Sequence, residues 1–286
     1  MILQMSEFSN ESFGRFGNQL FKYYFMRRVA RETGCELRLP GWLGDLAFTL
    51  PPQAPPGVAG EVLVLQAVEP DQEDPEADLE TVKARLAAVG CVELHGFFQY
   101  HTAFHAPDRD FLRSLFQPNP VIDQQLQDRL AGRLGTRDFL CVHLRRGDYL
   151  RYADSPIFWP TEPGRVVQAL QALARTGMRD LPIYLSSDDL DGGLAALGAA
   201  GIEALSSRDL FHIPDPALAL IVDFFMMTRA AALMISNSSL SFFASLLNSQ
   251  ARVFLRPCPD TGTMLPFDPW NSRALLARGA NWRANQ

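Results

Sequence analysis

Phe139-Leu140-Cys141-Val142-His143-Leu144-Arg145-Arg146-Gly147-Asp148-Tyr149 runs from wholly apolar chain straight into two adjacent arginines. The run Phe139-Leu140-Cys141-Val142 is short, continuous and rich in strand formers, which predicts a strand buried on both faces, as parallel sheets require. Arg145 and Arg146 then fall at the C-terminal end of that strand, the edge at which open parallel α/β sheets bind their ligands. A guanidinium is charged at every working pH and offers a rigid fork of donors that matches phosphate oxygens, so the pair suggests a diphosphate partner. The competing reading is a solvated turn, or an ion pair with Asp148.

The chain around this stretch alternates regularly. A helix near Asp123 to Leu134 precedes the strand, and helix signals from Pro163 to Arg175 end at Gly177 and lead to a strand at Leu181-Pro182-Ile183-Tyr184-Leu185. A short Gly/Ala-rich helix near Leu194 leads to an expected strand at Ile202-Glu203-Ala204-Leu205. Pro216 to Ala231 reads as a long apolar helix feeding Leu233-Met234-Ile235, and Leu240 to Leu247 as a helix before Val253-Phe254-Leu255. Such alternation predicts a parallel, doubly wound α/β sheet. Three of its strands are followed at once by polar groups: Arg145-Arg146-Gly147-Asp148, Ser186-Ser187-Asp188-Asp189 and Ser236-Asn237-Ser238-Ser239. Parallel strands place all three clusters along one edge, which is how a nucleotide crevice is built. The third cluster also precedes a helix whose free N–H groups favour an anion, although ordinary capping by Ser238 or Ser239 accounts for it equally.

The chain opens on a similar unit. Ile2-Leu3-Gln4-Met5 reads as a strand, Gly14-Arg15-Phe16-Gly17-Asn18-Gln19 as a loop, and Leu20 to Arg31 as a helix with Phe21, Tyr24, Phe25 and Val29 on one face. Gly34 ends that helix and Cys35-Glu36-Leu37-Arg38-Leu39 returns as a strand. The glycine spacing is neither the dinucleotide fingerprint nor a P-loop. Pro51-Pro52-Gln53-Ala54-Pro55-Pro56-Gly57 and the acidic stretch Glu69 to Glu80 read as exposed loops, and residues 40 to 120 give irregular signals.

Composition narrows the class. With 286 residues, 47% hydrophobic and 20% charged, the chain buries a substantial core in one large or two smaller domains. A net charge of −6 argues against a nucleic-acid partner. Cys35, Cys91, Cys141 and Cys258 have no paired spacing and read as reduced packing residues. Neither a signal peptide nor a transmembrane segment is expected, which points to the cytoplasm.

Five stretches together resemble one family. Gly14-Arg15-Phe16-Gly17-Asn18-Gln19-Leu20-Phe21, Gly96-Phe97-Phe98-Gln99-Tyr100, His143-Leu144-Arg145-Arg146-Gly147-Asp148-Tyr149, Ser187-Asp188-Asp189 and Ser236-Asn237-Ser238-Ser239-Leu240-Ser241-Phe242-Phe243-Ala244 resemble, in order, motifs of the α-1,2-fucosyltransferases of glycosyltransferase family 11. The opening is also similar to that of protein O-fucosyltransferases. The resemblance implies a GT-B architecture: two Rossmann-like doubly wound domains facing a cleft, 1–125 on the acceptor side and 126–286 binding the donor. It implies inverting transfer of fucose from GDP-fucose to a galactose hydroxyl of a glycan, with no cofactor and no metal. An enzyme of carbohydrate metabolism extending a lipid-linked glycan or a polysaccharide unit would work in the cytoplasm, with peripheral association at the inner face of the membrane as a further expectation.

Carried over residue by residue, Arg145 is expected on the β-phosphate and Arg146 is its second, or else orients the loop through Asp148. Arg145, Arg146 and Asp148 form the catalytic set. His143 is expected on ribose or base, unless it is a satisfied core histidine. Asp188 or Asp189, with Ser187, is expected on guanine or ribose. Gly17, Asn18 and Gln19 are expected on the phosphate or sugar, with Asn237, Ser238 and Ser239 completing the donor site. By position the general base is Asp148, Asp154 or Glu11, or there is no strong base at all. The last motif departs from the family, which usually carries two tryptophans where this chain has Phe242 and Phe243, and a third tryptophan-like position is Leu246. That change is either volume repacking or a reshaped sugar pocket, which leaves a different GDP-sugar as an alternative. Two rivals remain: a metal-dependent nucleotide-sugar transferase using Asp189 and Asp191, whose spacing suits a divalent ion, and a carbohydrate-binding protein without turnover.

Overall fold

The computed structural model describes residues 1–9, 15–65, 73–134, 138–152, 155–176, 178, 180–211 and 215–279. Expectations on Glu11, Gly14, Asp154 and Gly177 lie outside the described residues. The chain divides into two compact units, Met1–Asn119 and Pro120–Gln286, where the sequence reading divides it at 125/126. Each unit carries its own parallel sheet, the pairing expected of two Rossmann-like domains.

The first unit contains β1 (Ile2–Gln4), α1 (Phe16–Thr33), β2 (Glu36–Arg38), α2 (Gly44–Ala47), β3 (Glu61–Val64), α3 (Pro75–Val89), β4 (Cys91–His95) and α4 (Arg109–Leu115). Its strands lie in the order β2-β1-β4-β3, all parallel. The chain leaves β1 for β2 on one side and β4 flanks it on the other, so the topological switch falls between β1 and β4.

Two expectations fail here for identifiable reasons. Helix α1 begins at Phe16, so Gly17, Asn18 and Gln19 form its first turn rather than a loop, the Arg15 carbonyl accepting from the amides of Asn18 at 2.8 Å and Gln19 at 3.1 Å. Tyr23, Met26, Lys22 and Arg28 are buried along with the expected apolar face, so α1 is enclosed on several sides. The residues from Pro75 to Glu80 form the first turns of α3 instead of a loop. Asp74 caps that helix by accepting from the Ala77 amide at 3.0 Å, and Pro75 occupies the first turn, where its missing N–H costs nothing. Acidic residues there complement the helix dipole, a helix-start signal that a loop reading overlooks.

The second unit contains α5 (Pro120–Leu134), β5 (Leu140–Leu144), α6 (Pro163–Leu173), β6 (Ile183–Ser187), α7 (Leu190–Ala199), α8 (Ser207–Phe211), α9 (Pro216–Arg229), β7 (Ala232–Met234), α10 (Ser239–Leu247), β8 (Val253–Pro257) and β9 (Met264–Pro266). The sheet order is β6-β5-β7-β8-β9, parallel except for β9. Leu140, Val142, Leu144, Leu185, Ala232, Met234 and Leu255 of the strands pack with Val166 and Leu170 of α6 and Leu197 of α7 as one core. An ion pair between Arg229 and Asp123 joins α9 to α5.

Ile202 to Leu205 is not a strand. Only Leu205 bridges to Tyr184, because the chain turns at once into α8, where Asp209 accepts from the Ser206 amide at 2.8 Å. The sequence reading also misses β9, an edge strand ending in a proline, which is the position in a sheet that proline tolerates. No helix among the described residues is long and apolar enough to cross a membrane.

Candidate active site

All five residues of β5 are buried, and the chain emerges from it at Arg145. The switch point of the second sheet lies between β5 and β7, whose following loops carry Arg145 and Ser236. The Ser236 hydroxyl accepts from the Arg145 amide and donates to the His143 carbonyl, both at 2.8 Å, and Ser236 is 1% exposed. One buried hydroxyl therefore joins the two loops where a parallel sheet opens its crevice.

The arginine side chains rest on carboxylates. Arg145 Nη2 lies 2.7 Å from Asp148 Oδ1 and Nη1 3.2 Å from Asp188 Oδ2, and its guanidinium carbon stands 5.4 Å from the centre of the Tyr149 ring. Arg146 Nε donates to Asp189 Oδ2 at 3.3 Å and Nη1 to the Thr161 carbonyl at 3.2 Å. The expected contact between Arg146 and Asp148 is thus made by Arg145, and Arg146 is turned toward Asp189. Asp188 Oδ1 also accepts the Arg146 amide at 2.8 Å. A Cβ on Gly147 would stand 2.7 Å from Asp188 Oδ2, so any larger residue there would displace that carboxylate.

His143 is 5% exposed, and its Nδ1 has no hydrogen-bond partner. Burial first, and the Arg145 charge second, lower its pKa to about 4, so the ring is neutral at pH 7. The Ser187 hydroxyl donates to the Leu144 carbonyl at 2.8 Å and accepts from the Asp189 amide at 3.0 Å, which fixes the turn out of β6. Asp189 also caps α7, accepting from Gly192 at 3.3 Å. Asp191 is 83% exposed and pairs with Arg208, so the carboxylates of the Asp189–Asp191 spacing engage different partners.

The third cluster divides. Asn237 is 1% exposed and spends its amide internally: Nδ2 donates to the carbonyls of Ile157 at 2.8 Å and Leu276 at 2.9 Å, and Oδ1 accepts from the Leu276 amide at 2.9 Å. Its side chain is a clamp on two distant segments. Ser238 stands at the N-cap of α10 without a side-chain cap bond, and Ser239 is the first helical residue. Phe242, Phe243 and Leu246 are fully buried, and Phe242 stacks on Phe267 at 6.0 Å, a packing in which the phenylalanines fill core volume.

In the first unit, Gln99 Nε2 donates to Asn18 Oδ1 at 2.8 Å, and Phe98 stacks on Phe25 of α1 with ring centres 4.2 Å apart. Phe98 adopts φ 54, and a Cβ on Gly96 would stand 2.4 Å from the Leu65 carbonyl oxygen. The Gly96 to Gln99 stretch is therefore built to lie against the start of α1, with Gly17 and Gln19 buried beside Asn18.

Sequence reasoning misses Arg256, which hydrogen-bonds Asn237 from β8 at 3.4 Å. Tyr149 also belongs to the site's framework, donating to the Asn237 carbonyl at 3.2 Å. Only the fold brings these residues together; the one local hint is an arginine inside the strand pattern Val253-Phe254-Leu255-Arg256.

The model of glycosyl transferase family 11 matches residues 77–260. Solved structures are similar over most of the chain at low identity, which shows the fold. POFUT1 in complex with GDP-fucose matches with a TM-score of 0.58 and 13% identity, covering 89% of this chain and 97% of that one. NodZ α-1,6-fucosyltransferase soaked with GDP-fucose matches at 0.54 and 11%, covering 93% and 98%. A variant of Arabidopsis thaliana FUT1 in complex with GDP matches at 0.57 and 12%, covering 92% and 71%. No curated protein sequence matches the chain.

Proposed function

The chain belongs to glycosyltransferase family 11, and from that membership we infer that it moves fucose from GDP-fucose to a galactose hydroxyl of a glycan, forming an α-1,2 linkage with inversion and without a metal. The observation that carries this reading is Arg145, held at the switch point between two carboxylates. The GDP and GDP-fucose bound to similar folds support a guanine-nucleotide donor.

In the reaction the bond between the sugar's anomeric carbon and the β-phosphate oxygen breaks, its electron pair staying with GDP. The acceptor hydroxyl oxygen forms the new bond from the opposite face, and its proton leaves to a base or to water. Positive charge grows on the sugar and negative charge on the diphosphate, so donors fixed before the reaction stabilise the transition state more than the ground state. Arg145 is the β-phosphate donor in this scheme. Arg146 stands second, turned by Asp189. Asp148 holds Arg145 and remains the described carboxylate nearest to a base role. Neutral His143 offers its unpartnered Nδ1 to ribose or base, and Asp188 its carboxylate to guanine. The cytoplasm is the proposed location.

Replacing Arg145 by Ala should lower fucosyl transfer by roughly two to three decades while circular dichroism stays native, as for loss of one preorganised anion donor. Turnover near wild type in the folded variant removes Arg145 from the phosphate.

A further inference from the structure

Arg256 is 1% exposed in β8. Its Nη1 donates to the Arg273 carbonyl at 2.7 Å, and its Nη2 to the Ala274 carbonyl and Asn237 Oδ1, both at 3.4 Å. Nε has no partner. Every acceptor is neutral, and no carboxylate among the described residues pairs with this guanidinium, whose pKa is lowered to about 9 by burial alone. A buried cation without a counter-charge pays desolvation that three neutral acceptors return only in part.

The surroundings show where an anion would compensate it. The guanidinium carbon lies 5.4 Å from the Phe242 ring, in the first turn of α10, and 5.2 Å from Phe267. That turn is the positive end of a nine-residue helix whose cap residue, Ser238, makes no side-chain bond to it. Two sources of positive potential therefore coincide. The same guanidinium holds Asn237, whose carbonyl accepts from the Tyr149 hydroxyl, and Tyr149 lies against Arg145.

We infer that Arg256 is a positioning residue for the donor's diphosphate: it supplies a buried positive charge at the start of α10 and locks the Asn237 loop against Tyr149. This rests on the GDP-sugar reading above. Arg256 does not touch the reacting atoms; it acts through the α10 amides and through Asn237.

The test is calorimetric titration of wild type and of Arg256→Lys, Arg256→Gln and Arg256→Met with GDP and with guanosine, which lacks the phosphates. GDP affinity is expected to fall about tenfold or more in the Gln and Met variants while guanosine affinity changes by less than about twofold, and Lys should keep most of the difference. Gln guards against failure of Met to fold, since it can still hydrogen-bond. Equal GDP affinity in a folded neutral variant overturns the inference, as does parallel loss of GDP and guanosine, the sign of a brace without electrostatic action. Wild type that binds neither ligand overturns the donor reading first, and this inference with it.

Discussion

His105 is fully buried, with ring centres 4.9 Å from Tyr24 and 5.0 Å from Phe104, and neither ring nitrogen has a partner. Burial, then Arg28 and His101, lower its pKa to about 3. The folded-state pKa is below the unfolded value near 6.5, so the unfolded chain takes the proton first. The stability contribution is complete above about pH 6.5 and drains away as pH falls toward 3, adding up to about 1.4 kcal/mol per pH unit to the acid limb. His143, lowered to about 4, acts in the same sense. His105→Phe should therefore lose less stability than wild type between pH 7 and pH 5 in urea unfolding; equal losses would show that His105 does not titrate this way. Arg145 and Arg146 are legible in the sequence because charge directly after an apolar strand has few places to go. The internal use of Asn237 is not, because its partners Ile157 and Leu276 lie 80 and 39 residues away.

At the scale of elements, the joint between β5 and β7 depends on one hydroxyl. Ser236→Ala strips the Arg145 amide and the His143 carbonyl of their shared partner inside a buried site. Unfolding free energy should drop by about 1–3 kcal/mol, the usual cost of an unsatisfied buried group. Turnover should fall roughly ten- to a hundredfold as Arg145 loses its placement. A variant with native stability and turnover would show that the loops hold their register without it. Strands β5 to β8 are readable because apolar runs alternate with helical periodicity. The edges are less so: β9 has three residues and a proline, and α3 begins in a proline-interrupted acidic run whose capping role outweighs its loop-like composition. Residues 273 to 276 feed carbonyls and an amide to Arg256 and Asn237, although nothing in their local pattern marks them as part of the core.

For the whole molecule, the doubly wound architecture extends from the second unit to the first, where β1 and β2 are legible in the sequence and β3 and β4 are not, because they lie among the irregular signals of residues 40 to 120. The two sheets and the family model together make the chain a GT-B glycosyltransferase. In the proposed function, fixed arginines, rather than a divalent ion held by Asp189 and Asp191, receive a GDP-sugar diphosphate. Calorimetric titration of the wild-type protein with GDP-fucose, GDP and UDP-sugars, with chelator present throughout, tests it most directly. Selective binding of the guanine nucleotides under those conditions is predicted. No binding in chelator, restored by adding manganese, would contradict it and move the diphosphate to the aspartates.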